Sequence, residues 1–264
     1  MKSIAIVNQK GGVGKTSTAV NVAYCLAKQG HKILLIDLDP QGNATTSMGI
    51  DSYKLEKTMY DVLVDAKYNI EAAVQPTGLA SLKVLPSNVD LAGAEIALSQ
   101  DLVGGVTKLR RALQTIGDNY RFVIIDCPPS LGILTLNALS AATDIIIPIQ
   151  VQHYALKGMR ELQNTILRVR EELGIRINVL GILMTQFHKI PTVHKVISRE
   201  ILDYFGSKVF KTVISQTVKI QESDLKQEPV IKYAPDSSIT EQYMALSQEV
   251  LERAPERKRS KKNR

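Results

Sequence analysis

Residues 2–16 read KSIAIVNQKGGVGKT. A short apolar run, KSIAIVN (2–8), passes into a glycine-rich loop and then into a segment of helical character that runs from Thr16 to about Gln29. A strand, a glycine loop and a helix in that order are the setting of a phosphate-binding loop. Glycines let backbone amides turn toward an anion, and the helix offers its positive N-terminal end. The usual pattern, G-x-x-x-x-G-K-[ST], places a glycine six residues before its lysine. Here that position is Gln9, and a second lysine, Lys10, stands five residues before Lys15. The expected nucleotide-binding set is Lys10, Gly11, Gly12, Val13, Gly14, Lys15, Thr16 and Ser17. Lys15 is expected on the β- and γ-phosphates and the Thr16 hydroxyl on Mg²⁺.

Outward from the loop, short apolar runs alternate with helix-like segments. HKILLIDLD (31–39), LKVLPS (82–87), RFVIIDCPP (121–129), TDIIIPIQV (143–151) and INVLGILMTQF (177–187) read as strands. They are rich in Ile, Val and Leu without strict alternation, the pattern of strands covered on both faces of a parallel sheet. Gly30 fits the position that ends the first helix. In 155–173 the residues Ala155, Met159, Leu162, Ile166, Val169 and Leu173 fall at spacings of three and four and define one helical face, with Gly174 as its stop. Ser238 and Glu241 predict a capping box, followed by a stripe of Ile239, Tyr243, Leu246 and Val250. The expectation is one doubly wound α/β domain over 1–254, with a mostly parallel sheet and helices on both faces.

Mg²⁺ requires carboxylates near the loop, supplied in such a fold from the carboxyl ends of neighbouring strands. ILLIDLDPQGN ends in Asp37 and Asp39, and RFVIIDCPPS ends in Asp126. Asp126 is assigned to the Mg²⁺ shell. Asp39 lies furthest out and is assigned to position the attacking water, beside the metal. Asp37 stays open between that site and a structural partnership with Lys15.

Composition narrows the function classes. No apolar stretch approaches the roughly 18 residues of a membrane span, and MKSIAIVNQ is too short for a signal peptide. Two cysteines, Cys25 and Cys127, in 264 residues point to a reduced, cytosolic setting. The net charge of +7 is uneven: ERKRSKKNR (256–264) holds six Lys/Arg and one Glu, and the other 255 residues carry only +2. With nothing apolar to bury, the 255–264 tail is expected to be disordered and to attract polyanions.

KGGVGKT, LLIDLDPQGNAT, LPSNVDLAGAE, IIDCPPSLGILTLNAL and APDSSITEQY together resemble the ParA/Soj plasmid- and chromosome-partitioning ATPases, over about residues 2–252. KGGVGKT alone marks the wider deviant Walker A class, which includes MinD-like ATPases and nitrogenase iron proteins. The resemblance implies ATP and Mg²⁺ as cofactors and a sandwich homodimer with two nucleotides at its interface. It implies that the ATP-bound dimer binds double-stranded DNA without sequence preference, and that a ParB/Spo0J-like, centromere-bound protein stimulates hydrolysis. Lys10 then matches the lysine that crosses to the partner subunit's phosphates, and with Asp39 it forms the catalytic pair. Asp126 matches the Walker B aspartate, and 126–135 the second switch segment. DNA contacts are expected from Lys189, Lys195, Arg199 and Lys219, with Lys195 and Lys219 best matched to the family. The expected location is the cytoplasm, on the nucleoid.

Two features qualify the match. Where the family often shows P-R-x-V-R-L-x-E-A-P-S-x-G-K, this chain has SQTVKIQESDLKQEP (215–229), which keeps Lys219 but has Gln216 and ESDLKQE in place of the rest. The alternative reading is a MinD-like membrane-surface ATPase. It requires an apolar amphipathic helix at the C-terminus. The residues after Pro255 contain no apolar side chain, and the 238–251 stripe is expected to pack on the core. An iron-protein reading requires two well-placed cysteines per chain, whereas Cys25 falls inside the first helix.

Overall fold

The computed structural model describes residues 1–65, 69–101, 104–151, 155–187 and 192–255, without the side chains of 155–161 and 192–195. Among the described residues, seven strands form one sheet in the order β3-β4-β2-β5-β1-β6-β7. In chain order the strands are β1 (Lys2–Ile6), β2 (Ile33–Asp37), β3 (Gln75–Pro76), β4 (Leu82–Leu85), β5 (Phe122–Asp126), β6 (Asp144–Gln150) and β7 (Asn178–Thr185). All neighbours pair in parallel except β3, a two-residue edge strand antiparallel to β4. The helices are α1 (Lys15–Lys28), α2 (Asn43–Thr46), α3 (Met59–Val64), α4 (Leu91–Gln100), α5 (Lys108–Thr115), α6 (Ile133–Ala141), α7 (Ala155–Leu173), α8 (Thr192–Phe205), α9 (Val218–Leu225), α10 (Val230–Tyr233) and α11 (Ser238–Arg253).

The unbroken apolar strands reflect cover on both faces. Along β1 and β2, Ala5, Val7, Leu34 and Ile36 belong to one buried cluster, with Leu109, Leu134, Leu162 and Ile166 from α5, α6 and α7. Ile4, Ile6, Ile33 and Leu35 point the other way, into a second cluster with Ala23 and Leu26 of α1 and Tyr243 and Leu246 of α11. Successive side chains on a strand face opposite sides, so a sheet between two helical layers needs apolar residues at every position. The expected stripe of α11 is fully part of this core: Ile239, Tyr243, Leu246 and Val250 are buried. Leu162, Ile166 and Val169 on α7 are buried as their spacing predicts, while Ala155 and Met159 lie outside the described side chains.

Two expectations about ends meet the structure differently. Gly30 and Gly174 adopt φ of +86° and +59°, the left-handed conformation that closes a helix at low cost for glycine. The capping box at Ser238 does not form. Ser237 is the N-cap of α11, and its hydroxyl donates to the Ala234 carbonyl at 2.6 Å instead of capping the helix. The tight turn at 234–237 uses the hydroxyls of Ser237 and Thr240, both donating to Ala234 O, so the chain satisfies the turn and not the helix amides.

Parallel pairing places every large loop of the site at one end of the sheet. The carboxyl ends of β1, β2, β5, β6 and β7 come together there, with the loop of 8–14 on β1, an interior strand between β5 and β6. Among the described residues no helix is long and apolar enough to cross a membrane. The tail 256–264 lies outside the described residues.

Candidate nucleotide site

The glycine loop is held open by backbone conformation. Gly12 and Gly14 have φ of +72° and +84°, which a side chain would strain, and Gly14 is the N-cap of α1. The helix starts at Lys15, one residue earlier than its periodicity predicts, so Lys15, Thr16 and Ser17 form its first turn. First-turn amides have no partner within their helix and point out of its N-terminus, where an anion is favoured. Lys10, Gly11 and Gly12 are exposed, and Val13 is buried.

Side chains outside the motif fix the loop. Asn8 follows β1, and its amide donates to Pro148 O of β6 at 2.6 Å while its Oδ1 accepts from the Lys10 backbone N–H at 2.9 Å. Thr185, the last residue of β7, donates to Val13 O at 2.8 Å. Asn21 links the first turn of α1 to α10, donating to Ser17 O and accepting from Val230 N–H. The motif does not contain these residues. Their only sequence signal is a polar side chain at or just past an apolar strand, or inside an apolar helix.

The two lysines differ. Lys15 is buried and its Nζ donates to the Lys10 carbonyl at 3.1 Å. Burial lowers its pKa, against the opposing pull of Asp126, then Cys127 and Asp39. Lys10 is exposed on the rim, with its Nζ donating to Gln150 Oε1 at 3.2 Å.

The carboxylates sort themselves by partner. Asp37 and Asp126 are register partners on β2 and β5, both fully buried. Asp37 accepts from the Thr45 hydroxyl at 2.7 Å, the Thr45 amide at 2.8 Å and the Asp39 amide at 3.1 Å. Burial raises its pKa to about 6, while the Thr45 bonds hold it down. Asp37 is therefore the structural anchor of the loop that carries Asp39. Its partner is Thr45, not Lys15, because its oxygens are directed along that loop. Asp39 is 8% exposed, accepts from Gln41 N–H through Oδ1 at 3.0 Å, and has its carbonyl bound by the Ser87 hydroxyl at 2.8 Å.

Asp126 is different. Both of its oxygens are buried without a hydrogen-bond partner. Burial, and next the neighbouring Asp37, push its pKa well up. The Thr16 hydroxyl is close enough to lower it somewhat, but makes no hydrogen bond of ordinary geometry with it. Among the described residues no group of three His, Cys, Asp or Glu side chains stands ready to hold a metal ion alone. That fits Mg²⁺ in a nucleotide site, where one or two carboxylates act together with phosphate oxygens and water. Thr16 and the unsatisfied Asp126 fit such a shell, and Asp39 acts electrostatically on both Asp126 and Lys15.

A family model described as AAA domain matches residues 1–179, the part of the chain that carries all of these groups except Thr185 and the Val230 amide. The chain is 43% identical to the sporulation initiation inhibitor protein Soj of Bacillus subtilis, over 94% of this chain and 98% of that one. It is 39% identical to the chromosome partitioning protein ParA of Caulobacter vibrioides, over 97% and 96%. The chain belongs to the ParA/Soj family of partitioning ATPases. Among solved structures it resembles a cobyrinic acid a,c-diamide synthase from Mycobacterium smegmatis, determined with bound ATP analog and magnesium. That chain is 34% identical, with a TM-score of 0.81 over 94% of this chain and 93% of the other.

The DNA-contact residues expected from the ParA/Soj resemblance are only partly placed. Arg199 is exposed on α8, and Lys195 lies on the same helix with its side chain outside the described set. Lys189 is outside the described residues. Lys219, in the first turn of α9, pairs with Glu222 at 2.8 Å and lies 5.7 Å from the centre of the Tyr233 ring. Cys25 and Cys127 are both buried.

Proposed function

We propose that this ATPase works as a Mg²⁺-dependent switch. ATP closes it as a homodimer, the closed dimer holds double-stranded DNA without sequence preference, and hydrolysis stimulated by a ParB-like, centromere-bound protein releases it. It thereby segregates a chromosome or plasmid, acting in the cytoplasm on the nucleoid. Residues 1–254 form the ATPase unit and 255–264 a basic tail that adds attraction to the polyanion.

The observation that carries this reading is Asp126. A buried carboxylate with both oxygens unsatisfied costs free energy, and it is retained where a cation completes it. Thr16 and Asp126 would hold the Mg²⁺. Bound there, Mg²⁺ neutralises charge on the phosphates and stabilises the charge that develops as the terminal phosphoryl group leaves. The amides of Gly11 to Ser17 and the Lys15 ammonium hold the phosphates. Asp39, fixed by Gln41, Ser87 and Asp37, orients the attacking water.

Dimerisation is supported by what the loop exposes. Gly11 lies against Pro129, and Lys10, Gly11, Gly12, Pro129 and Ser130 make one exposed patch at the phosphate end. The P-loop and the second switch segment thus share a surface, and the terminal phosphate is the ligand that shifts the population toward the closed state. Sedimentation with nonspecific DNA tests the switch. Wild type should pellet with ATP and not with ADP or without nucleotide, and Asp39→Ala should stay on DNA with ATP. Equal binding in all three nucleotide states refutes it.

A further inference from the structure

We propose that Gln150 and Gln186 form an amide relay that holds Lys10 on its own subunit and so opposes dimer closure. This rests on the reading above, in which Lys10 serves a partner's nucleotide. Gln150 ends β6 and Gln186 follows β7, so two neighbouring strands deliver them to the loop. Lys10 Nζ donates to Gln150 Oε1, Gln150 Nε2 donates to Gln186 Oε1, and Gln186 Nε2 donates to the Gly12 carbonyl. Every bond runs in the same direction. A cation at one end and a loop carbonyl at the other polarise both amides in the same sense, so the bonds reinforce one another.

The backbone conformation marks the relay as specified. Gln186 has φ of +51°, a left-handed conformation that costs a non-glycine residue and persists only where its surroundings impose it. Its side chain is anchored at both ends, to Gln150 and to Gly12, while the adjacent Thr185 holds Val13. The Lys10 backbone is independently fixed through Asn8. The Lys10 side chain is held at its ammonium by Gln150, which competes there with a partner's phosphates. A neutral amide loses to a phosphate oxygen in that competition, because charge-assisted bonds are stronger. The relay thus biases the switch without blocking it.

The test is the monomer–dimer constant, measured by analytical ultracentrifugation with a non-hydrolysable ATP analogue. Binding of the analogue within about twofold of wild type checks that each variant folds. Gln150→Ala removes this competitor and should tighten the dimer by roughly two- to tenfold, the scale of the net contribution of one hydrogen bond. Gln186→Gly relieves the left-handed strain, removes the relay's middle link and should shift the constant in the same direction. Gln150→Glu holds the ammonium with a charge and should weaken the dimer by a similar factor. A purely structural role for Gln150 would make both of its variants worse. In a Lys10→Ala background, in which the dimer is lost, none of the three variants should restore it. Shifts of Gln150→Ala and Gln150→Glu in the same direction, no shift at all, or a dimer that one of the variants restores without Lys10 overturn the relay. Normal dimerisation by Lys10→Ala alone instead overturns the reading of Lys10 as the bridging lysine.

Discussion

Asp37 and Asp126 stand side by side at the carboxyl ends of β2 and β5, yet one is fully hydrogen-bonded and the other has no partner for either oxygen. A carboxylate in register with another in a dry interior has its pKa raised, as Asp37 raises that of Asp126. Three donors from Thr45 and Asp39 settle Asp37 into the fold. Asp126 keeps the full cost, which the proposed Mg²⁺ site would relieve.

Asp126→Asn should therefore stabilise the nucleotide-free protein. It removes a buried charge from beside Asp37, and the gain should be about 1–2 kcal/mol, within the range for a buried unsatisfied charged group. Urea denaturation measures it. The same variant should lose Mg²⁺-dependent ATP hydrolysis. A destabilised Asp126→Asn would mean that the carboxylate contributes to the fold rather than to the site.

The raised pKa of Asp37 sets a pH dependence. Its folded-state value of about 6 exceeds the ordinary 3.8, so the fold favours the protonated form. The stability from this group is complete below about pH 4, declines as pH rises toward 6 and is flat above that. Asp126 is shifted in the same direction and adds to the slope. The nucleotide-free protein should have a higher Tm at pH 5.5 than at pH 7.5, and Asp37→Asn should reduce the difference. A Tm that rises over the same interval, or a difference that Asp37→Asn leaves unchanged, contradicts this.

Lys219 bears on DNA contact. It is engaged with Glu222 and with the face of Tyr233, so its charge is shared within the chain. Exposed ion pairs of this kind contribute little and are weak enough for a phosphate to displace. Glu222→Gln should raise ATP-dependent DNA affinity by roughly two- to threefold at low salt. Lys219→Ala should lower the slope of log affinity against log salt by about one. Unchanged affinity and slope in both variants would remove Lys219 from the DNA surface.

Much of this was legible in the sequence because physical constraint and sequence period coincide. The strands read as continuous apolar runs since both faces are buried, and the glycine loop reads directly because Gly12 and Gly14 need positive φ. The loop's supports did not read. Thr45, on the short helix α2, reaches back eight residues to Asp37, and Ser87 reaches Asp39 across 48. Gln150, Gln186 and Thr185 meet the loop only once β6 and β7 are placed beside β1, and no local period encodes that. Helix α4 hides its amphipathicity: Leu91, Ala94 and Leu98 are buried, but Ile96 on the outer side is 67% exposed. Ser237 and Ser238 are adjacent and chemically alike, and the turn at Ala234 decides between them.

The central claim is that Lys10 completes a second subunit's site while Lys15 serves its own. The most direct measurement is sedimentation equilibrium with ATP for Asp39→Ala and for the double variant Asp39→Ala, Lys10→Ala, with ATP binding measured alongside. The first should be dimeric, since hydrolysis no longer opens it. The second should bind ATP with similar affinity and remain monomeric. A double variant that binds ATP and dimerises as tightly as Asp39→Ala would contradict the account.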